Sequence, residues 1–494
     1  MSRIFRTART LDSGTIVLLG VLIVTVATLW LSEPIVQMVR RNTGHDFMLI
    51  YAAANALRHL QNPYDPAVLT KFALNAGMVH QFLLDVHGRF NQPYVYPPLF
   101  AWLAIPFTFA SPALARLEWR IVEAVIMFVG TLGLLSLWTT EKATAFLRLR
   151  HQRILLALII TIAPASIYAM YWGNPVVLVY GAMAGWIWAM TRHRPAMDVL
   201  AGAFMSVVVL KPQLALPLAM SALFLLTSGP AQWERRKRVF LSFLATCGVL
   251  LVLDLITTGP ALLLDWPRSI LFLSQFTLQE GDIPSLTGIV QGEIALLPHV
   301  FQQVIIYGTE LGGIIAAIGI YRRQKRYWAP STVLAVMTAA IFVTTPYGHA
   351  NDIILLFPVA IALISALYAR LRNRLQVAGA SDIASVVKVI QPFVLALEFV
   401  IATALLVWYG GFSIFTKLPG QYFVPANIAA GVVPLVAVVA IWASWRFLPP
   451  VIARPRVPAS ILNARYRAAL DPDTAPTSVP EGLGVSGSRW KREL

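Results

Sequence analysis

The chain has 494 residues, of which 57% are hydrophobic and 13% are charged. This composition excludes an ordinary soluble domain and predicts an all-α polytopic membrane protein. The formal net charge of +16 is also typical of nucleic-acid-binding proteins, but the basic residues lie in alternate loops between apolar segments, as cytoplasmic loops do. We therefore predict no nucleic acid partner.

The first predicted element is a membrane-spanning helix at about residues 16–36. Arg3, Arg6 and Arg9 precede it, and basic residues before a first apolar helix hold that end in the cytoplasm. The segment has no convincing small-residue cleavage site, so we interpret it as an uncleaved anchor. The chain then emerges in a first outer loop, residues 37–94.

This first outer loop carries a carboxylate, Asp46, soon after it leaves the membrane. Apolar residues three and four apart then predict a helix over 46–60 that lies along the interface. Asn62-Pro63-Tyr64-Asp65-Pro66 ends that helix by proline geometry. An aspartate at a helix start is either a functional group or a helix N-cap, and the sequence leaves both interpretations of Asp46 open.

Residues 99–109 form a short apolar stretch between Pro98 and Pro112. A crossing there would place the basic loop that begins at Lys142 on the outer side, so we predict that the stretch dips into the membrane and returns. About 12 spans remain, at 16–36, 120–139, 154–171, 175–190, 198–210, 214–227, 239–257, 299–320, 329–345, 353–369, 387–409 and 427–446.

With the basic loops inside, several polar turns face outward. The helices that flank them are short, so we expect these turns to lie below the outer membrane surface, and irregular backbone at that depth lines a cavity or is buried in protein. The predicted outward-facing cavity is lined by Asp46, Asn174, Lys211, Gln213, His349 and Asp352.

The remaining segments complete the domain organisation. A second outer loop, residues 257–298, carries Trp266 and is predicted to cover the cavity. Residues 449–494 are basic and rich in proline, which predicts a mostly disordered cytoplasmic tail near anionic lipid. Residues 1–448 then form one transmembrane domain, with both termini of the chain cytoplasmic. The single cysteine, Cys247, excludes an intrachain disulfide.

Five short motifs, in their order and spacing, resemble glycosyltransferase family 87 of the GT-C superfamily. They are Gly44-His45-Asp46-Phe47, Asn62-Pro63-Tyr64-Asp65, Tyr96-Pro97-Pro98-Leu99-Phe100, Lys211-Pro212-Gln213 and the turn from His349 to Asp352. The resemblance covers about residues 44–360 and implies a GT-C-like bundle in the plasma membrane. It also implies an inverting transfer from a polyprenyl-phosphate-linked sugar such as mannose, with Asp46 as base. Gly173-Asn174 departs from the Gly-Gln-Asn common in the family, which leaves sugar and acceptor specificity open.

Such a transfer needs a base, partners for the departing phosphate, and polar groups that hold the sugars. Asp46 is the predicted base, and Lys211 and His349 are the predicted phosphate partners. The predicted sugar- and acceptor-binding residues are Asn174, Gln213, Asp352, Tyr96 and Asp65. The predicted partners are the polyprenyl-phosphate-linked sugar, a glycan or glycolipid acceptor, and membrane lipid. We predict no metal or other cofactor, because the sequence has no Walker-type phosphate loop and no Asp-x-Asp pair in the first outer loop.

Structural interpretations remain open for these residues. Lys211 can pair with Asp254, Tyr96 can belong to an aromatic belt, and Asp65 is a residue that proline turns favour. The alternative function is a secondary transporter, because broken helices with polar turns also bind solutes. The polar turns all face one side and no internal repeat relates two halves of the chain, which favours the transferase.

Overall fold

The computed structural model describes residues 45–78, 93–136, 150–190, 194–208 and 233–274, residues 192 and 211, and scattered positions within 19–26 and 297–361. Every regular element among these residues is helical, in agreement with the all-α prediction. The spans predicted at 214–227, 329–345, 387–409 and 427–446, and the tail 449–494, lie outside the described residues.

The helices of the described part follow one another with short connections. In chain order they are α1 (His45–Arg58), α2 (Pro66–Asn75), α3 (Pro98–Ala104), a 3₁₀ helix (Ile105–Phe109), α4 (Pro112–Leu135), α5 (Arg150–Thr161), α6 (Pro164–Trp172), α7 (Val176–Met190), α8 (Pro195–Val208) and α9 (Trp233–Ser274). Several begin at a proline, whose fixed φ suits the first helical turn and whose missing N–H is not needed there.

Two clusters of buried apolar side chains organise these helices. The first joins α4, α5, α6, α7 and α8 with the start of α9. The second joins α1, α2 and α3 with the start of α4. Because α4 contributes Met127 to the first cluster and Trp119 to the second, it connects them along its length.

The helix α1 is buried more completely than its sequence pattern predicts. The predicted stripe of Phe47 and Ile50 is buried, but Met48, Ala52 and Ala53 on other sides of the helix are buried as well. The prediction of a single buried face is therefore wrong for this helix, while its position along the membrane interface remains a prediction. The physical reason is that α2, α3 and α4 all pack against α1, whose many alanines allow close approach.

The short stretch between Pro98 and Pro112 forms α3 and the 3₁₀ helix. Seven α-helical and five 3₁₀ residues extend about 20 Å, which is less than the ~30 Å of a bilayer core. The observed length is short enough for a stretch that enters the membrane and returns. Whether it does so remains a prediction.

One helix in the described part of the chain is long and apolar enough to cross a membrane. It is Trp233–Ile270, within α9, and little of its apolar surface is buried in the protein. The helix α4 also carries an exposed apolar stripe, in which Leu117, Ile121 and Val125 are spaced by four residues. Such large apolar surfaces mark contact with another apolar phase, so both helices support a membrane protein. The count of 12 spans remains a prediction.

The long helix α9 is interrupted at Gly259, whose φ of 78° and ψ of 167° are not helical. Pro260 follows and cannot continue the hydrogen-bond ladder. Beyond the kink the chain is helical again to Ser274, so the first part of the predicted second outer loop, residues 257–298, is helical.

The part of α9 beyond Gly259 is joined to the first outer loop. Trp266 Nε1 donates a hydrogen bond to Val95 O at 2.9 Å, and Asn62 Nδ2 donates to Asp265 Oδ2 at 2.9 Å. These two bonds attach the start of the predicted second outer loop to the first, while the covering of the cavity remains a prediction.

At the start of α9, two predicted cytoplasmic loops meet around a buried aspartate. Asp198 of α8 forms ion pairs with Arg235 at 2.6 Å and with Arg238 at 3.1 Å. Arg235 also donates to the carbonyl oxygens of Met190 and Arg192. These contacts place Met190, Arg192 and Asp198 at the same end of the bundle as Arg235 and Arg238, as the prediction that both basic loops lie on one side of the membrane requires.

Candidate functional site

The structure brings together two of the predicted site residues, Asp46 and Asn174, which are 128 positions apart. Asp46 lies in the first turn of α1, and Asn174 lies in the turn between α6 and α7. Asn174 Nδ2 donates a hydrogen bond to Asp46 Oδ2 at 2.6 Å. A short hydrogen bond to a carboxylate is among the stronger ones, so it fixes the orientation of the half-buried Asp46.

Asn174 is itself oriented by the helix that follows it. Its Oδ1 accepts a hydrogen bond from Val176 N at 3.0 Å, as a side chain at a helix N-terminus does. Because the amide oxygen is engaged there, the amide nitrogen is the atom that faces Asp46. The break between α6 and α7 thus supplies an oriented donor to the carboxylate.

Gly173 allows this turn to lie directly against α1. Its φ of +64° is in the left-handed region, where glycine ends a helix without the strain that other residues incur. A Cβ on Gly173 would lie 2.5 Å from Phe47 Cβ, so even alanine would push the turn away from α1. The position of Asn174 beside Asp46 therefore depends on the glycine that precedes it.

Aromatic side chains hold the start of α1 in place on its other side. The Phe47 ring stacks on Trp119 of α4, with ring centroids 5.1 Å apart. Phe100 and Phe107 meet Trp119 edge to face at 6.1 and 5.5 Å. These ring contacts fix α1 relative to α4 and so contribute to the placement of Asp46.

The sequence analysis did not select Glu123, a buried acidic residue on the same helix as Trp119. It is on α4, one turn after Trp119, and its exposed fraction is 0%. It interacts electrostatically with Arg120 and more weakly with Asp46. The available signal was a carboxylate inside an apolar stretch, the predicted span 120–139, since ionisable residues within such segments are often functional.

Tyr96 and Asp65 lie in the neighbouring part of the first outer loop. Tyr64 OH donates to Tyr96 O at 2.7 Å, and the Tyr96 ring packs against Tyr94 and Phe100. Burial, and after it the neighbouring Tyr94, raises the pKa of Tyr64 far above its ordinary value, so its hydroxyl remains a donor. The protonated hydroxyl of Tyr64 therefore joins this part of the first outer loop to the backbone of Tyr96.

The exposed Asp65 caps α2. Its Oδ1 accepts hydrogen bonds from Ala67 N at 2.8 Å and from Val68 N at 3.4 Å. The Asp65 carboxylate therefore has a local capping role, which is the structural interpretation that the sequence left open.

Lys211 follows α8 and is buried, with an exposed fraction of 1%. Its backbone N–H donates to Val208 O at 3.1 Å, so the chain turns tightly there. Asp254, the structural partner considered for it, interacts with the backbone of Leu99 at the start of α3. The other predicted site residues, Gln213, His349 and Asp352, lie outside the described residues.

Comparison with known families gives one match that bears on this geometry. Residues 94–346 match the model of glycosyltransferase family 87, which covers just over half of the chain. The matched region includes Glu123, Asn174 and Lys211, while Asp46 precedes it and contacts it through Asn174. A comparison with the curated proteins finds no match.

Proposed function

The chain belongs to glycosyltransferase family 87, which implies glycosyltransferase activity, and on this premise we propose which sugar transfer it performs. The donor is a polyprenyl-phosphate-linked hexose, mannose by the family resemblance, and the acceptor is a glycan or glycolipid. Transfer takes place at the outer face of the plasma membrane and inverts the anomeric centre, with Asp46 as general base.

The hydrogen bond between Asn174 and Asp46 is the observation that carries this proposal. A general base must be held in a fixed direction so that it meets the proton of the bound substrate. Asn174 holds Asp46 Oδ2, and Val176 N holds Asn174 in turn. A residue that only capped α1 would not need an oriented partner from a turn 128 positions away.

The proposed step needs no nucleotide. The acceptor hydroxyl oxygen forms a bond to the anomeric carbon while the bond from that carbon to the phosphate oxygen breaks. The hydroxyl proton passes to Asp46, and the electron pair of the broken bond leaves with polyprenyl phosphate. A positioned base of this kind contributes roughly 10²- to 10⁴-fold to the rate.

Lys211 and His349 are the proposed partners of the departing phosphate. What supports Lys211 is its burial at the end of α8, because a lysine at membrane depth is disfavoured by about 2.5–3.5 kcal/mol on insertion scales. A cation retained there despite that cost suits a site that receives an anion. Asn174, Gln213, Asp352, Tyr96 and Asp65 are proposed to hold the sugar and the acceptor.

The test uses the full chain, purified and reconstituted into lipid vesicles. Synthetic polyprenyl-phosphate hexoses are supplied with glycan and glycolipid acceptors, and the glycosylated product and released polyprenyl phosphate are both measured. We expect equal amounts of the two, and no product from nucleotide sugars.

Two outcomes would contradict the proposal. Transfer from a nucleotide sugar would show that the donor does not have to be lipid-linked. Uptake of a radiolabelled sugar into the vesicles without any transfer would favour the secondary transporter instead.

A further inference from the structure

The C-terminal end of α1 places a large apolar side chain at the surface. Leu60 has a φ of 56°, in the left-handed region, and its exposed fraction is 91%. Its backbone N–H donates to Leu57 O at 2.9 Å, and the N–H of Gln61 donates to Ala56 O at 2.9 Å. These two bonds form a Schellman motif, in which glycine is the usual left-handed residue because a Cβ is disfavoured there.

The end of α2 has the same motif with the usual residue. Gly77 has a φ of 85°, and its N–H donates to Leu74 O at 2.9 Å. Met78 N donates to Ala73 O at 3.0 Å. In water, both the backbone conformation and the exposed side chain of Leu60 are unfavourable by comparison. A leucine at this end of α1 therefore indicates contact with an apolar phase.

Phe109, the last residue of the 3₁₀ helix, lies exposed beside this end of α1. Its exposed fraction is 78%, and the guanidinium carbon of Arg58 lies 5.1 Å from the centroid of its ring. Arg58 Nη1 also donates to Thr108 O at 2.9 Å, so the guanidinium and the ring are held together. Leu114 and Leu117 of α4 follow in the chain and are exposed as well. Phe109 therefore leads into the exposed apolar stripe of α4, which supports a contact with lipid.

Exposed basic side chains accompany these apolar ones. Arg58, His59 and Lys71 are all exposed. The His59 ring lies 5.3 Å from the Phe72 ring, and Lys71 Nζ lies 5.8 Å from the same ring. Asp65, the exposed acid that caps α2, uses its carboxylate at the start of that helix. Exposed apolar residues mixed with basic ones are typical of surfaces that bind anionic membranes.

We propose that the C-terminal end of α1 and its neighbours bind the outer leaflet of the membrane, with anionic phospholipid as the partner. This lipid-binding surface consists of Arg58, His59, Leu60, Lys71, Phe72 and Phe109. Leu60 and Phe109 enter the region of the acyl chains, and Arg58 and Lys71 contact lipid phosphates. A guanidinium has five N–H donors, so the bonds from Arg58 to Thr108 leave donors for a phosphate.

The lipid-binding surface is separate from the candidate functional site. Asp46 lies in the first turn of α1, about 18 Å along the helix axis from Arg58. Since α1 is buried on several sides, its contact with the interface is made by this end rather than along one face. The contact holds the first outer loop, which carries Asp46, at a fixed depth.

Spin labels test the depth of the surface without any measurement of sugar transfer. The chain has a single cysteine, so Cys247→Ala allows one label at a chosen position of the full chain. The protein is reconstituted into vesicles of phosphatidylcholine and phosphatidylglycerol. Labels at Leu60→Cys and Phe109→Cys should collide more with oxygen, which concentrates among acyl chains, than with a water-soluble nickel complex. A label at Ala67→Cys, an exposed position outside the surface, should show the reverse order.

Three outcomes of the depth measurement would overturn the proposal. Preferential collision with the nickel complex at either Leu60→Cys or Phe109→Cys would place the surface in water. Collision with neither reagent would mean that another part of the chain covers it. Magnetic interaction between labels on two copies, without access to oxygen, would assign the surface to a dimer.

Lipid composition tests the basic residues. With the label at Leu60→Cys in anionic vesicles, Lys71→Gln should lower the ratio of membrane-bound to water-exposed label about fivefold, the factor typical of one basic residue near an anionic surface. Vesicles of phosphatidylcholine alone should remove this difference. Arg268→Gln, a change at an exposed basic residue outside the surface, is the control and should leave the ratio unchanged. An unchanged ratio in Lys71→Gln would overturn the role of anionic lipid.

Leu60→Gly separates a lipid contact from a structural role. Glycine relieves the left-handed backbone and removes the exposed side chain, so the melting temperature in detergent should be unchanged or higher. In vesicles, a label at Phe109→Cys should shift toward water. Gly77→Ala, at the equivalent position of α2, where an added Cβ meets no other atom, should lower the melting temperature instead. A lower melting temperature in Leu60→Gly would show that Leu60 packs within the protein and would overturn the proposal.

Discussion

Two buried carboxylates, Asp198 and Glu123, differ in how their charge is compensated. Asp198 lies at the basic end of the bundle, where Arg235 and Arg238 form ion pairs with it at 2.6 and 3.1 Å. Glu123 of α4 interacts electrostatically with Arg120 and more weakly with Asp46, and its carboxyl oxygens accept no hydrogen bond from the described residues. Two acids of similar burial therefore differ in their partners: Asp198 joins two helices through ion pairs, whereas the Glu123 carboxyl is buried without a hydrogen bond from the described residues.

The largest expected effect is on the rate of transfer, and it comes from a change at Asp46. Asp46→Asn keeps the size of the side chain and an oxygen that Asn174 can still contact, but it cannot accept a proton. We expect transfer to slow at least about 100-fold with little change in melting temperature. Glu118→Gln, the same acid-to-amide change at a half-exposed position of α4, is the control and should transfer sugar normally.

The contrary outcome for Asp46 is equally specific. If Asp46 only caps α1, Asp46→Asn should transfer sugar at a near-normal rate, and Asp46→Ala should lower stability by about 1 kcal/mol.

The next effect tests the paired acid. Asp198→Asn leaves Arg235, which is mostly buried, without its ionic partner, and breaking a buried pair in this way typically costs about 3–5 kcal/mol. We expect a lower melting temperature and a near-normal transfer rate below it. Asp265→Asn, at a more exposed ion pair with Arg268, should change the melting temperature less. A normal melting temperature in Asp198→Asn would remove the structural role.

Gly173→Ala should affect stability and transfer together. The left-handed backbone at this position disfavours alanine by about 1–2 kcal/mol, and the new Cβ would overlap Phe47. Relief of the overlap moves Asn174 away from Asp46. Gly248→Ala, at an open position in α9, is the matched control. Unchanged melting and transfer in Gly173→Ala would show that the turn does not have to lie against α1.

The smallest effect separates the two roles of Asn174. Asn174→Ala loses both the cap on α7 and the bond to Asp46, so we expect about 1 kcal/mol less stability and a slower transfer. Asn174→Asp keeps an oxygen for Val176 N but places a second carboxylate beside Asp46. It should therefore be closer to wild type in melting temperature than Asn174→Ala while transferring sugar slowly. A normal rate in Asn174→Asp would mean that the contact does not orient the base.

The sequence predicts some parts of the site because their signals are local. Gly173-Asn174-Pro175 interrupts an apolar segment, so a polar turn there was predictable, and Asp65 lies in a proline turn that favours a cap. The sequence predicted that Asn174 and Asp46 line the same cavity, but it did not predict a direct contact between them. The short hydrogen bond depends on the close approach of Gly173 to α1.

Two features could not be predicted for physical reasons. Burial of α1 on several sides depends on which helices pack against its alanines, and the apolar spacing of α1 does not encode those partners. The burial of Glu123 depends on the rotation of α4 about its axis, which a continuous apolar stretch leaves undetermined.

The attachment of α9 to the first outer loop has a consequence for the order of events during synthesis. The bond from Asn62 to Asp265 joins residues 203 positions apart, and the bond from Trp266 to Val95 joins residues 171 apart. At translation rates of about 5–20 residues per second, the ribosome needs about 10–40 s to reach the partner of Asn62. During that interval the loop that carries Asp46 lacks its contacts with α9. A chain that ends before residue 265 would never form them.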